Sequence, residues 1–275
     1  MDLQGKVVVV TGGGGGIGAA MGRAFAAGGA RAIAVADIDG AAAERVAGEL
    51  AKEGPATLAA QVDAGDTAAV EALVDRVEDE LGPIDLFCAN AGIFVLGGIE
   101  TPDDEWDRIW HVNVKGHVAA ARAVVPRMLA RGGGYFLSTA SAAGLLTQIG
   151  SAPYSVTKHA AVGFAEWLSI THGDAGLRVS CLCPQAVDTA MLRGGLTGEA
   201  GEQAAEASSA ARDGVLPAEV VAEAVVAGLA DERFLILPHA EVAEYERRRA
   251  GDRERWLKGM RRLQALLFGG PQPPG

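Results

Sequence analysis

Residues 6–18 read KVVVVTGGGGGIG, and this stretch decides the fold. Four consecutive valines suit a strand covered on both faces, because β-branched side chains pack well on a pleated surface and no polar residue alternates with them. Five glycines follow, then Ile17 and Gly18, and the pattern turns helical over Ile17–Ala27. Glycine permits a tight turn and lets backbone amides come close to a ligand, while the start of a helix adds positive potential. A pyrophosphate fits such a place. In a chain with 38 glycines the spacing alone says little, so the position between strand and helix carries the reading. The next apolar run, Ala32–Ala36, ends at Asp37. A carboxylate there accepts hydrogen bonds from both hydroxyls of an adenosine ribose and repels a 2′-phosphate. Gly13 and Ile38 offer no cation for that phosphate, so the stretch favours NAD over NADP, with Asp39 as a rival carboxylate.

The rest of the chain repeats the strand–helix rhythm. Strands are predicted at Lys6–Val10, Ala32–Ala36, Thr57–Val62, Ile84–Ala89, Tyr135–Thr139, Arg178–Leu182 and Phe234–Leu237. Helical patterns cover Ile17–Ala27, Ala41–Glu53, Ala68–Leu81, Glu105–Arg131, Tyr154–His172 and Pro217–Ala230, with Pro217 suited to a first helical position. Near-continuous apolar strands spaced by helices predict a doubly wound α/β domain, a parallel sheet of about seven strands with helices on both faces. One domain is expected over residues 1–240. Within it, residues 190–215 hold few large apolar side chains and read as a substrate lid, with a disordered insertion without function as the alternative. Residues 241–268 read as a helical extension, with Trp256, Met260, Leu263 and Leu267 on one face. Residues 269–275 read as a disordered tail.

A second constellation is Ser141, Tyr154 and Lys158. Tyr154 and Lys158 stand four apart on a predicted helix and so share a face. A free phenol, with a pKa of about 10, is a poor base at neutral pH, and a neighbouring ammonium favours its ionised form. Ser141 lies just past the C-terminal edge of the fifth strand, where open α/β sheets bind ligands.

In these motifs the chain resembles the short-chain dehydrogenase/reductase superfamily, in its compact single-domain branch. The carriers are TGGGGGIG at Thr11–Gly18, Asp63 closing the third strand, Asn90-Ala91-Gly92, Asn113 in HVNVKG, Ser141 in STASAAG, and YSVTK at Tyr154–Lys158. The resemblance covers Leu3 to Pro238 and implies a Rossmann-type fold with a nicotinamide dinucleotide as cofactor, NAD by the Asp37 reading above. It implies that Tyr154 is the general acid/base, that Lys158 holds the nicotinamide ribose and keeps Tyr154 acidic, that Ser141 bonds the substrate oxygen, and that Asn113 anchors a relay water. Gly12, Gly16, Ile17 and Gly18 would shape the pyrophosphate site. Asp63 and Ala64 would meet the adenine, Asn90, Ala91 and Gly92 the ribose side, and Val187 and Thr189 the carboxamide. It also implies a homotetramer or dimer built through the long helices. One departure stands out: where the family reads Pro-Gly after the sixth strand, this chain has Pro184-Gln185. The Gln185 amide either contacts substrate or points away.

Phe94, Gln148, Gln185 and Met191 are the expected substrate neighbours, in a mostly apolar pocket without a cation for a phosphate or carboxylate. The expected reaction interconverts a secondary alcohol and its ketone, in the oxidative direction. The rivals are an NADP-linked 3-oxoacyl ketoreductase and a non-catalytic dinucleotide sensor. The composition narrows the classes further. A net charge of −11 argues against nucleic acid as the main partner, although residues 241–268 hold eight basic and five acidic groups. No apolar run approaches the roughly 18 residues of a membrane span, and no signal peptide is read at the N-terminus. Cys88, Cys181 and Cys183 suit a reducing, cytoplasmic setting, and the five histidines show no metal-ligand spacing, so no metal is expected.

Overall fold

The structure, a computed structural model, describes residues 1–195 and 213–268. Seven strands form one sheet: β1 (Val7–Thr11), β2 (Ala32–Asp37), β3 (Ala56–Gln61), β4 (Leu86–Ala89), β5 (Gly134–Thr139), β6 (Leu177–Leu182) and β7 (Leu235–Ile236). All pair in parallel, in the order β3-β2-β1-β4-β5-β6-β7. Parallel neighbours need crossovers, and here helices supply them. They are α1 (Gly16–Ala27), α2 (Gly40–Leu50), α3 (Thr67–Leu81), α4 (Asp103–Trp110), α5 (Gly116–Ala130), α6 (Ala143–Leu146), α7 (Ala152–His172), α8 (Ala190–Gly195) and α9 (Ala218–Ala230). Two further helices, α10 (Glu241–Gly251) and α11 (Arg253–Phe268), close the described chain. The winding reverses between β1 and β4, which opens a crevice beyond their C-terminal ends. This is the doubly wound, Rossmann-type arrangement that the sequence predicts.

The valines of β1 show how the layers are built. Val7 and Val9 pack into the layer under α3, α5 and α7, while Val8 and Val10 pack against α1, α2 and α9. All four are buried, which is why the run needs no polar alternation. The side-chain period of two divides one apolar run between two cores.

Local chemistry departs from the sequence pattern at four places. Strand β3 is not buried on both faces: only Leu58 is shielded and both ends are exposed, because β3 is an edge strand. The helix predicted over Glu105–Arg131 is interrupted by a π turn at His111–Lys115, which separates α4 from α5. Pro217 caps α9 from outside rather than opening it. The extension is two helices, because the chain turns extended at Asp252, whose carboxylate accepts the Arg255 N–H at 2.9 Å. On α11 the expected face of Trp256, Met260, Leu263 and Leu267 is only half-buried. Of the expected lid, residues 196–212 lie outside the described residues, as does the tail at 269–275.

The link between α6 and α7 carries backbone strain. Thr147 adopts φ 74° and ψ 129°, although its side chain is β-branched and exposed. Such a conformation costs about 1–3 kcal/mol for a non-glycine residue. Its neighbours hold it there: Thr147 N–H donates to Ala143 O at 3.1 Å and Gln148 N–H to Ser155 Oγ at 2.8 Å. Glycine relieves the strain, less about 0.5–1 kcal/mol for its greater freedom when unfolded. Thr147→Gly should therefore raise stability by about 1 kcal/mol, or about 2–4 °C in midpoint. Thermal unfolding checks this, and a lower midpoint would mean that the threonine is not strained.

Candidate active site

The C-terminal ends of the strands surround a cavity of about 430 Å³. At one end stands the glycine turn. Gly12 (φ 63°) and Gly16 (φ 50°) use backbone conformations that favour glycine. A Cβ on Gly18 would collide with the Gly12 carbonyl, so only glycine lets α1 begin this close to β1. No side chain caps the N-terminus of α1, which leaves its first amides facing the crevice. Gly12, Gly16, Ile17 and Gly18 all line the cavity. Asp37 lines it too, accepting the Gly14 N–H at 2.9 Å on Oδ2 and the Asp39 N–H at 3.0 Å on Oδ1. Its rival Asp39 is occupied as the cap of α2, through Ala42 N–H at 3.1 Å.

Asn90 ties β4 to β1. Its amide donates to Thr11 O at 3.0 Å and Gly12 O at 3.3 Å, and Ala91 N–H reaches Thr11 Oγ1 at 3.2 Å. Asp63 and Ala64 line the same end, with the Asp63 carboxylate fixed by Gly65 N–H at 2.9 Å. Arg45, on α2, was not foreseen. Its guanidinium donates to Gly14 O at 2.8 Å and pairs with Glu49 at 3.0 Å, so a cation does stand beside the glycine turn.

The other end gathers the predicted proton-transfer groups. Ser141, Tyr154 and Lys158 all line the cavity. Lys158 is buried, donates to Thr139 O at 3.0 Å, and lies 5.6 Å from the centre of the Tyr154 ring. Burial pushes its ammonium down to about 8. Burial also pushes the Tyr154 phenol up, opposed by a hydrogen bond with Ser141. Burial therefore favours the protonated phenol. The ammonium stands beside the aromatic ring, bonded to a carbonyl, and does not outweigh burial.

Asn113 lies behind the cavity wall, fully buried in the π turn. Its amide accepts the Ile93 N–H at 2.8 Å and donates to Ile93 O at 2.9 Å and Thr157 Oγ1 at 3.3 Å. The side chain is thus a clamp between the Gly92 turn and α7. Gly92 keeps the approach open, because a Cβ there would stand 3.3 Å from both Asn113 Oδ1 and Lys158 Nζ.

The loop after β6 closes the site. Ala142 N–H donates to Pro184 O at 2.8 Å, and a Cβ on Gly16 would stand 3.1 Å from Thr189 Cγ2, so the loop reaches from Ser141 to the glycine turn. Val187 and Thr189 line the cavity. Gln185 adopts no left-handed backbone, so the departure from Pro-Gly brings no strain of that kind. Its side-chain O and N are buried without a hydrogen-bond partner. Phe94 meets the Tyr154 ring edge-on, with centroids 4.9 Å apart, and Gln148 and Met191 complete the expected substrate group on the cavity wall. Sequence reading missed the Thr139 carbonyl and Val112, which also line it. Only the tertiary placement of these residues reveals them.

Residues 6–199 match the sequence pattern of the short chain dehydrogenase family. The chain is 39% identical over 247 residues to a 1-deoxy-11-beta-hydroxypentalenate dehydrogenase of Streptomyces exfoliatus, covering 88% of this chain and 86% of that one. It is 38% identical over 195 residues to a meso-2,3-butanediol dehydrogenase of Serratia marcescens, covering 70% and 76%. A crystal structure of a short chain dehydrogenase/reductase from Burkholderia phymatum in complex with NAD superposes with a TM-score of 0.84 at 30% identity, covering 92% of this chain and 96% of that one. The chain accordingly belongs to the short-chain dehydrogenase/reductase superfamily of oxidoreductases.

Proposed function

We propose that this protein is an NAD-dependent oxidoreductase that interconverts a secondary alcohol and its ketone, with Tyr154 as general acid/base. The carrying observation is that one cavity holds an uncapped helix start and a ribose-ready carboxylate at one end, and Ser141, Tyr154 and Lys158 at the other. Bound between them, oxidised nicotinamide dinucleotide would supply a hydride acceptor and a positive charge. The chain supplies everything else. The first amides of α1 hold the pyrophosphate, and Asp37 retains acceptor capacity for the ribose hydroxyls. Asp63 and Ala64 face the adenine, Asn90, Ala91 and Gly92 the ribose side, and Val187 and Thr189 the carboxamide.

Ser141 and Tyr154 grip the substrate oxygen. In the oxidative direction Tyr154, once ionised, accepts the hydroxyl proton as hydride departs from the carbinol carbon. Lys158 holds the nicotinamide ribose and keeps positive potential near the phenol. Asn113, in the π turn beside the Gly92 turn and α7, anchors a relay water on its way to Lys158. Phe94 and Met191 favour an apolar substrate, with Gln148 and Gln185 as its polar neighbours. Relatives named for a hydroxypentalenate and a butanediol support a hydroxyl-bearing substrate.

Asp37 supports NAD over NADP. Arg45 is the observation on the other side, but its guanidinium is held by Gly14 O and Glu49. Exposed Val156, Trp167 and Ile170 on α7, with Trp110 ending α4, support assembly through these helices into a dimer or tetramer. Among the described residues no helix is long and apolar enough to cross a membrane. Three buried unpaired cysteines support a reducing, cytoplasmic location.

Two variants test the reading. Tyr154→Phe should lower turnover of secondary alcohols by about 10²–10⁴-fold with NAD affinity retained. Comparable turnover would remove the phenol from the chemistry. Asp37→Ala should narrow the ratio of NAD to NADP affinity in binding titrations, and an unchanged ratio would place cofactor choice elsewhere.

A further inference from the structure

The loop that seals the cavity is held from behind by a histidine to which neither the motifs nor the family pattern assigns a role. His239 follows β7 and is buried. Its Nδ1 lies 3.2 Å from the backbone nitrogen of Gln185 and accepts that N–H. An imidazole that accepts at Nδ1 is neutral and carries its proton on Nε2. Protonating the ring turns Nδ1 into a donor aimed at another donor, so this contact exists in one protonation state only.

We propose that His239 positions the loop Pro184–Thr189 through this hydrogen bond, and that protonation of the imidazole releases the loop. The proposal rests on the reading above, in which this loop faces the nicotinamide end of the cofactor. His239 is a positioning residue: it touches the loop, and the loop lines the site.

A second observation concerns the polar groups around the same joint. Among the described residues, seven buried side-chain polar atoms lack a hydrogen-bond partner, and four belong here: both amide atoms of Gln185, Nε2 of His239 and Oδ2 of Asp213. Buried polar groups are nearly always paired, by protein or by ordered water, so these atoms mark the surroundings of the ring as a polar joint rather than a packed apolar one. Asp213 is itself anchored, accepting the Tyr245 hydroxyl at 3.0 Å on Oδ1. Elsewhere the loop is pinned independently of the imidazole. Leu216 N–H donates to Ala186 O at 3.1 Å and Asp188 N–H to Leu216 O at 2.9 Å. Losing the His239 bond would therefore free the Gln185 peptide locally without unravelling the sheet.

The charges around the ring set the sign of the pH response. Asp213, on the segment leading to Leu216, and Glu241, at the start of α10, both favour the imidazolium. The carbonyls of Ala186 and Gly214 act in the same direction. Burial opposes them and prevails, so the ring titrates below the ordinary histidine value. The neutral, loop-holding form is therefore complete at neutral pH and is lost as the solution is acidified through the lowered value.

The test compares the full-length wild type with His239→Asn and His239→Leu. An asparagine Oδ1 can replace Nδ1 as acceptor but does not titrate near neutrality, whereas leucine can do neither. Two readouts are taken from about pH 7.5 downward to the acid limit of the folded state: hydrogen exchange of the peptide spanning 184–189, corrected for intrinsic rates, and the affinity for NADH by fluorescence titration. At the higher pH, His239→Leu should exchange about 5- to 100-fold faster than wild type, the range expected for one lost buried hydrogen bond. At the lower pH wild type should move toward the leucine variant, while His239→Asn stays protected at both. NADH affinity should follow the same order. If His239→Asn loses protection on acidification as wild type does, or if wild type does not respond to acid, the proposal fails. That comparison decides even if His239→Leu does not fold. Exchange behaving as expected in a protein that binds no nicotinamide dinucleotide would leave the latch standing and overturn the functional reading instead.

Discussion

A single close approach of backbone to backbone organises this molecule. At Gly18 the first turn of α1 sits against the Gly12 carbonyl with no room for a Cβ. That contact sets how near the helix start comes to the end of β1, and so where its uncapped amides face. Asn90 bonds the same turn from β4, and Thr189 abuts it from the loop after β6. Three chain segments far apart in sequence converge on a few glycines, and the crevice of the sheet becomes a cavity with defined walls.

The opposite wall is governed by burial. Tyr154 and Lys158 share a helix face, and the structure pushes both toward their neutral forms, the phenol upward and the ammonium to about 8. A site of this kind is poised rather than already ionised. Positive charge arriving beside the phenol has a large effect, because the surroundings screen it poorly. His117, one helical turn beyond Asn113, reinforces the same environment. It is buried against Ser138 at 3.0 Å and pushed down to about 3, chiefly by burial, with the Lys158 ammonium adding to it. It therefore stays neutral and adds no competing charge.

Much of this was legible in the sequence for local reasons. The valines of β1, the glycine turn and Asp37 lie within one βα unit and the strand after it, and their spacing reports their geometry. Tyr154 and Lys158 were legible as helix neighbours, and the family motifs located Asn113 and Ser141. Other features leave no local trace. The π turn at His111–Lys115 sits inside a stretch that reads as one helix. The exposure of β3 depends on its place at the sheet edge, which composition does not encode. Arg45 meets Gly14 across 31 residues and His239 meets Gln185 across 54, so only the folded chain brings those pairs together. Helical spacing gives the proximity of Lys158 to Tyr154 but not the balance between charge and burial, which the folded surroundings set.

The proposed function turns on the Tyr154 phenol, which burial holds toward its protonated form, ionising more readily when a nicotinamide dinucleotide is bound beside it. The most direct measurement is the tyrosinate absorbance difference between wild type and Tyr154→Phe, titrated with pH with and without saturating NAD. Tyrosinate should appear on the alkaline side of free tyrosine without cofactor and move toward neutral pH when NAD is bound. An ionisation at the same pH in both states would contradict the proposed function.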